Sequence, residues 1–155
     1  MSAANPSGPI VLCWDGSDGA RRAIQKAAGI LGDGRQALVL FVHVPVEGSR
    51  GVLTGTGGPD AAVVGLADAQ DQLEAGVRVA SEAGFQARGK RIEADRKTGE
   101  LIVEAAEEAD APVIVMGQRG RSGLAVAMLG SVSRDVVGAF HRPVLLIGET
   151  AAEAS

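Results

Sequence analysis

The chain has 155 residues, of which 46% are hydrophobic and 22% charged, with a formal net charge of −4. That is the make-up of one globular domain of ordinary size, with enough apolar residues for a real core. A pI near 5.2 argues against a broad basic field for nucleic acid, and 3% aromatic residues with no tyrosine argue against base-stacking platforms.

The 22 glycines instead suggest tight turns and close backbone approach. A single cysteine, Cys13, rules out an intrachain disulfide framework and cysteine-rich zinc sites, and fits a reducing cytosol. No apolar stretch approaches the roughly 20 residues that span a bilayer. Met1 to Pro9 has no basic region followed by an apolar one, so no secretory signal is expected. The chain reads as a soluble cytoplasmic protein without a membrane or nucleic-acid partner.

Residues 1–8 and 149–155 are small and polar and read as loose tails, leaving one domain over 9–148. Ile10 to Trp14 is an apolar run of strand length, followed by Asp15-Gly16-Ser17-Asp18-Gly19. Ala20, Ala23, Ile24, Ala27, Ala28 and Leu31 then share one face of a helix that Gly32 and Gly34 end. Ala37 to Val44 is a second strand. The glycine- and proline-rich stretch 45–60 is too irregular for an element, and its length suits a functional or mobile loop.

A helix is expected from about Ala61 to Ala83, weakened by Gly65 and Gly76 and closed by Gly84. Ala87 to Ala94 is charged and contains Gly89, as an edge strand should. Thr98 to Ala109 is a helix with one acidic face. Pro112 to Met116 is a strand, Ser131 to Phe140 a helix, and Pro143 to Ile147 the last strand. This alternation implies right-handed crossovers and an α/β fold: one doubly wound, open, parallel five-stranded sheet with helices on both faces. An edge position would leave the apolar ladder 143–147 uncovered, and pairing with the same strand of a second subunit would cover it.

The chemistry concentrates between the fourth strand and the last helix, in Met116-Gly117-Gln118-Arg119-Gly120-Arg121-Ser122-Gly123 and Gly130-Ser131-Val132-Ser133. Ligands of open α/β sheets bind beyond the carboxyl ends of the strands. Glycines there bring backbone N–H groups close to an anion, and a helix starting at Gly130-Ser131 adds its positive dipole end. The hydroxyls of Ser131 and Ser133 can donate to phosphate or help hold its metal. The plain alternative is a βα loop whose glycines only turn the chain. Other phosphate motifs fail. Gly84 to Arg91 matches the start of a Walker A loop, but ends on Arg91 and leads into a strand; no G-x-G-x-x-G follows the first strand.

Gly117, Gly120, Gly130 and Ser131 fit the spacing G-x2-G-x9-G-(S/T), with Asp15-Gly16-Ser17, His43-Val44 and Arg142-Pro143-Val144-Leu145 at the matching strand ends. In this the chain resembles the universal stress proteins, of the subclass that binds ATP, over about residues 9–148. The resemblance implies a strand order of 3-2-1-4-5 along the five expected strands, with a crevice between strands one and four. It places Asp15 by the ribose and adenine and the backbone of Val44 on the adenine edge. Gly117 and Gly120 fall at ribose and phosphate, flanked by Met116 and Arg119, while Gly130, Ser131, Val132 and Ser133 cradle the phosphates. Arg119 and Arg121 either pair with phosphate oxygens or stay solvated. Mg2+ would ride on the ATP phosphates, with Ser131 beside it and no direct protein metal site.

The resemblance further implies a homodimer through strand 143–147 and a nucleotide-dependent stress or signalling regulator whose protein partner the sequence does not name. A slow ATPase or nucleotidyl-transfer enzyme of the related superfamily is the alternative, although no poised base stands in the glycine loop and no catalytic residue is assigned. Asp15 could instead cap the first helix, in competition with Ser17 and Asp18. Trp14 stands where small or aliphatic residues are usual, so it is expected either to crowd the base or to wall it. His43 reads as a satisfied strand-end histidine; the role of loop 45–60 is left open by the sequence, and a lid over the nucleotide is one role it could take.

Overall fold

The computed structural model describes residues 6–45, 62–64, 66–118 and 129–148. Its centre is β1 (Ile10–Trp14), whose run of apolar residues suits a strand covered on both faces. β1 lies parallel to β2 (Gln36–Pro45) on one side and to β5 (Ile114–Gly117) on the other. β4 (Gln86–Glu93) pairs with β2, and β6 (Val144–Ile147) with β5, both parallel. The order β4-β2-β1-β5-β6 is the 3-2-1-4-5 expected from the sequence.

A sixth strand was not expected. β3 (Ala62–Val64) pairs with His43 to Pro45 of β2, on the same edge as β4. β4 reaches only as far as His43, so the last residues of β2 would otherwise present an unpaired edge. The predicted helix start at Ala61 is therefore corrected. Residues 62–64, which include two β-branched valines, extend as a strand, and α2 (Leu66–Ala83) begins after them. Residues 46–61, most of the loop that could act as a lid, lie outside the described residues.

Alternation along the strands divides the core into two layers. Ile10, Leu12, Trp14, Val39 and Phe41 face α1 (Asp18–Leu31) and α2, where Ala23, Ile24, Ala69 and Leu73 meet them. Val11, Leu40, Val42 and Met116 face α3 (Thr98–Glu108) and α4 (Ser131–Ala139), through Leu101, Ile102, Ala106 and Val136. On the β4 edge, Gly89 lets Leu73 and Val77 of α2 approach; a Cβ there would lie 2.8 Å from Leu73 Cδ1. The other edge is β6, whose four residues are all half-buried.

The first helix begins on side-chain caps. Ser17 Oγ accepts the Ala20 N–H at 3.1 Å, and Asp15 Oδ1 accepts the Ser17 N–H at 2.9 Å. Of the three competitors, Ser17 is thus the N-cap, and Asp15 shapes the turn before it. Ser17→Ala is expected to cost about 1 kcal/mol, lowering the thermal midpoint by about 2–4 °C in a chain of this size. An unchanged midpoint by circular dichroism would mean that another group takes over the cap.

At the opposite end of the sheet, Asp110 ties three segments together from a left-handed backbone, φ 56°. Its carboxylate accepts the Ser7 N–H at 3.0 Å and pairs with Arg142 at 3.1 Å. The Ser7 N–H, with Arg142 beside it, holds this carboxyl below its ordinary range. Arg142 also donates to the Ala111 carbonyl at 2.9 Å, fixing the entry to β6.

Candidate functional site

β1 and β5 are neighbours, but β1 leads to a helix on one face and β5 to a helix on the other. Their carboxyl ends therefore part and leave a crevice, as at the switch point of any doubly wound sheet. A cleft open to solvent occupies it. Cys13, Leu40, Val42 and Met116 form an apolar floor, and Asp15, Ser17, Thr98 and Ser133 bring polar groups to its walls.

Three helices direct their N-termini here. Ser17 and Ala20 come from the start of α1, Thr98 and Ile102 from α3, and Gly130, Val132 and Ser133 from α4. Each N-terminus carries N–H groups without an intrahelical partner and the positive end of a dipole. α1 is capped by Ser17, whereas the N-cap residues of α3 and α4, Lys97 and Gly130, make no side-chain capping bond. The two uncapped ends are packed together: a Cβ on Gly99 would lie 2.6 Å from Asp135 Cβ and 3.3 Å from the Val132 carbonyl oxygen. Glycine at 99 thus permits the start of α3 to pack against α4, beside the Asp135 carboxylate.

The start of α4 is also fastened to β5. Gly130 N–H donates to the Gln118 carbonyl at 3.1 Å, and Gln118 N–H donates to Ile147 at 2.9 Å. Ser133 Oγ, buried, reaches the carbonyls of Gly117 and Gln118 at 3.2 and 3.3 Å. A hydroxyl has one proton to give. In this arrangement it goes to the strand end, and what Ser133 directs elsewhere is its backbone N–H.

Of the residues expected at the site, Asp15, Met116, Gly117, Gly130, Val132 and Ser133 line the cleft together. Ser131 is exposed at the first turn of α4. Val44 lies two residues beyond Val42 on the same face of β2, buried in the layer under the cleft. Arg119, Gly120 and Arg121 lie outside the described residues. Thr98 and Ile102 were not foreseen, nor were Leu40 and Val42. Alternation along β2 could have found the latter pair, and the position of α3 directly after an edge strand could have found the former.

Two expectations are changed by the geometry. Trp14 borders the cleft, but its indole belongs to the layer of α1 and α2, packed on Gly76 with the Arg21 guanidinium 6.0 Å from the ring centroid. His43 was expected to be satisfied, yet it is fully buried and neither ring nitrogen has a hydrogen-bond partner among the described residues. Cys13, on the floor, has its thiol pushed up to about 12, chiefly by burial and then by the Asp15 charge. It stays protonated at neutral pH and is no thiolate nucleophile. Among the described residues there is no cluster of three side chains able to hold a metal, and no helix is long and apolar enough to cross a membrane.

The universal stress protein family model matches residues 7–148. Universal stress protein MJ0531 of Methanocaldococcus jannaschii is 30% identical over 146 residues, covering 89% of this chain and 80% of that protein. Among solved structures, hypothetical protein MJ0577 superposes with a TM-score of 0.70 at 21% identity, covering 94% of this chain and 98% of its own. The universal stress protein of Archaeoglobus fulgidus in complex with dAMP gives 0.62 at 24% identity, over 92% and 98% of the two chains. A universal stress protein family protein of Arabidopsis thaliana with AMP bound gives 0.61 at 18% identity, over 96% and 97%. At these identities the structures speak for the fold, and the family match over nearly the whole domain speaks for descent. This chain belongs to the universal stress protein family.

Proposed function

We propose that the cleft binds an adenine nucleotide, ATP with Mg2+ on its phosphates, and that occupancy biases a homodimer that acts as a cytoplasmic stress or signalling regulator. The observation that carries the reading is the N-terminus of α4 at Gly130, which lines one apolar-floored cleft together with Asp15. Anionic phosphate suits the first and the ribose hydroxyls suit the second, while the floor suits a base. The dAMP and AMP complexes of family members with this fold support it.

In this reading Asp15 takes the ribose and the backbone of Val44 the adenine edge. Met116, Gly117, Arg119 and Gly120 follow the sugar to the phosphates. Gly130, Ser131, Val132 and Ser133 hold the phosphates, chiefly by N–H groups. Mg2+ would neutralise phosphate charge, with the Ser131 hydroxyl as the protein group nearest to it in the sequence motif.

The dimer rests on β6. One side of that strand pairs with β5, and its Val144, Leu145, Leu146 and Ile147 are all half-buried apolar residues. A second copy would satisfy its open backbone edge and cover these side chains. A ligand shifts such an equilibrium only through unequal affinity for the two states. Denaturing the purified protein and weighing the small molecules released is expected to yield an adenine nucleotide. Calorimetric titration with ATP and AMP should saturate at one per chain, and light scattering should show a mass that depends on nucleotide. Absence of binding to both nucleotides would overturn the reading.

A further inference from the structure

His43 is an unusual residue to find at full burial. Its ring lies parallel to that of Phe41, centroids 5.7 Å apart and 10° between planes, with neither nitrogen partnered among the described residues. Alternation puts it on the side of the sheet away from the cleft, in the layer closed by Ala69 and Leu73 of α2. On β1 the same layer holds Trp14, whose indole nitrogen is likewise buried without a partner. A buried imidazole that lacks an acceptor is held neutral, because its cation would lose water and gain nothing.

The charges acting on it come from β4. Arg91 opposes protonation and Glu93, level with His43 in the register, favours it. From α1, Arg21 stands over the Trp14 ring, a further positive charge in this layer. Burial first, and Arg91 with it, outweigh Glu93 and pull the imidazole below its ordinary range.

The backbone of His43 is what joins this side chain to the cleft. Its carbonyl accepts the Ala94 N–H at 2.8 Å, and it is the residue at which β2 passes from pairing with β4 to pairing with β3. Val42 before it lines the cleft floor, and Val44 after it continues the same face. A displacement that brings the ring to water must move both neighbours.

We propose that His43 makes nucleotide binding proton-linked: mild acid releases the carboxyl end of β2 from its seat and weakens the cleft's hold on adenine nucleotide. The state with neutral His43 binds nucleotide, and the state with the ring charged and hydrated does not. The proposal rests on the nucleotide reading above for its ligand, though not for the release of β2. The sign follows from linkage. The native ring binds a proton less readily than a free one, so the closed state is fully stable above about pH 6.5 and loses stability as pH falls below it.

Two measurements test this. The first is AMP affinity by calorimetry from pH 7.5 to 5.0, in the wild type and in His43→Phe, which keeps the stack on Phe41 and removes the titration. Titration of the AMP phosphate is common to both, so the difference between them is the readout. Wild-type affinity should fall relative to the variant, by up to about tenfold per pH unit, the limit for one proton. Equal pH dependence in the two proteins overturns the proposal.

The second is amide hydrogen exchange of wild-type protein without nucleotide, corrected for intrinsic rates, and it needs no variant to fold. The amides of Val42, His43 and Val44 should lose protection at pH 5.5 relative to 7.5 while β1 keeps it. Uniform protection overturns the release of β2. Loss of protection without AMP binding at any pH would instead overturn the nucleotide reading and leave the release standing.

Discussion

Gly76→Ala is expected to lower the thermal midpoint of this protein, although it replaces a glycine in the middle of an 18-residue helix. Helix propensity alone forecasts the opposite, a gain of about 1 kcal/mol. The indole of Trp14 decides the sign. A Cβ at position 76 would lie 2.6 Å from Trp14 Cγ, 2.8 Å from Cδ1 and 2.9 Å from Cδ2. The ring cannot retreat easily: Trp14 is 5% exposed and belongs to the packed layer of Leu12, Ala69 and Leu73.

Overpacking of this kind costs about 1–3 kcal/mol, and occasionally more. Ala should therefore lose up to about 2 kcal/mol net of propensity, and Gly76→Val, with two further methyls and a poorer propensity, about 3 kcal/mol or more. At about 2–4 °C per kcal/mol the valine variant melts roughly 6–12 °C lower. The companion variant Trp14→Leu removes the obstacle. In that background Gly76→Ala should be neutral or stabilising, with a coupling of about 1 kcal/mol or more in the double-mutant cycle. Additive effects, or a midpoint that rises for Gly76→Ala alone, would show that the indole does not occupy this contact.

The same pair of residues shows how far the sequence could be read. The two periods were plain in it, 3.6 for Ala20, Ala23, Ile24, Ala27 and Ala28, and near-continuous apolar runs for β1, β2 and β5. These fix layers and crossovers, while the strand order and the position of the crevice came from the resemblance to the universal stress proteins. Asp15, Gly117 and Gly130 were legible because strand-end positions are tied to the topology. Trp14 was not, because adjacent strand residues face opposite layers. Nothing local tells which of Cys13 and Trp14 looks into the cleft until the partners of each face are known.

Residues 62–64 were missed for a related reason. Three residues before a helix carry no period of their own, and they become a strand only because β4 stops at His43. Tertiary context outweighed the local pattern there. His43 illustrates the limit for single side chains. Strand-end histidines usually find a partner, and only the packed layer reveals that this one has none among the described residues.

Asp15→Asn should bind AMP about ten- to a hundredfold more weakly than the wild type while keeping nearly its full stability, and it isolates the ligand role of this carboxylate. The side chain has two separable tasks. One oxygen, Oδ1, accepts the Ser17 N–H at 2.9 Å and shapes the turn before α1. The group also lines the cleft with Cys13, and in the proposed reading it is the acceptor for the ribose hydroxyls. Asparagine retains a carbonyl oxygen for the turn but loses the charge and one acceptor. A hydrogen bond to a charged group is worth about 1.5–3 kcal/mol, which converts to the stated loss of affinity.

Asp15→Ala removes both tasks. It leaves the Ser17 N–H without its acceptor and loosens the cap of α1, so the midpoint should fall as well as the affinity. The two variants thus divide the outcomes cleanly. If Asp15→Asn binds AMP like the wild type while Asp15→Ala melts several degrees lower, Asp15 is a turn residue and the ribose contact is wrong. If both lose affinity and only Asp15→Ala loses stability, the carboxylate meets the nucleotide directly. The cleft then holds its ligand by Asp15 on one wall and the N-terminus of α4 on the other, with the apolar floor between them.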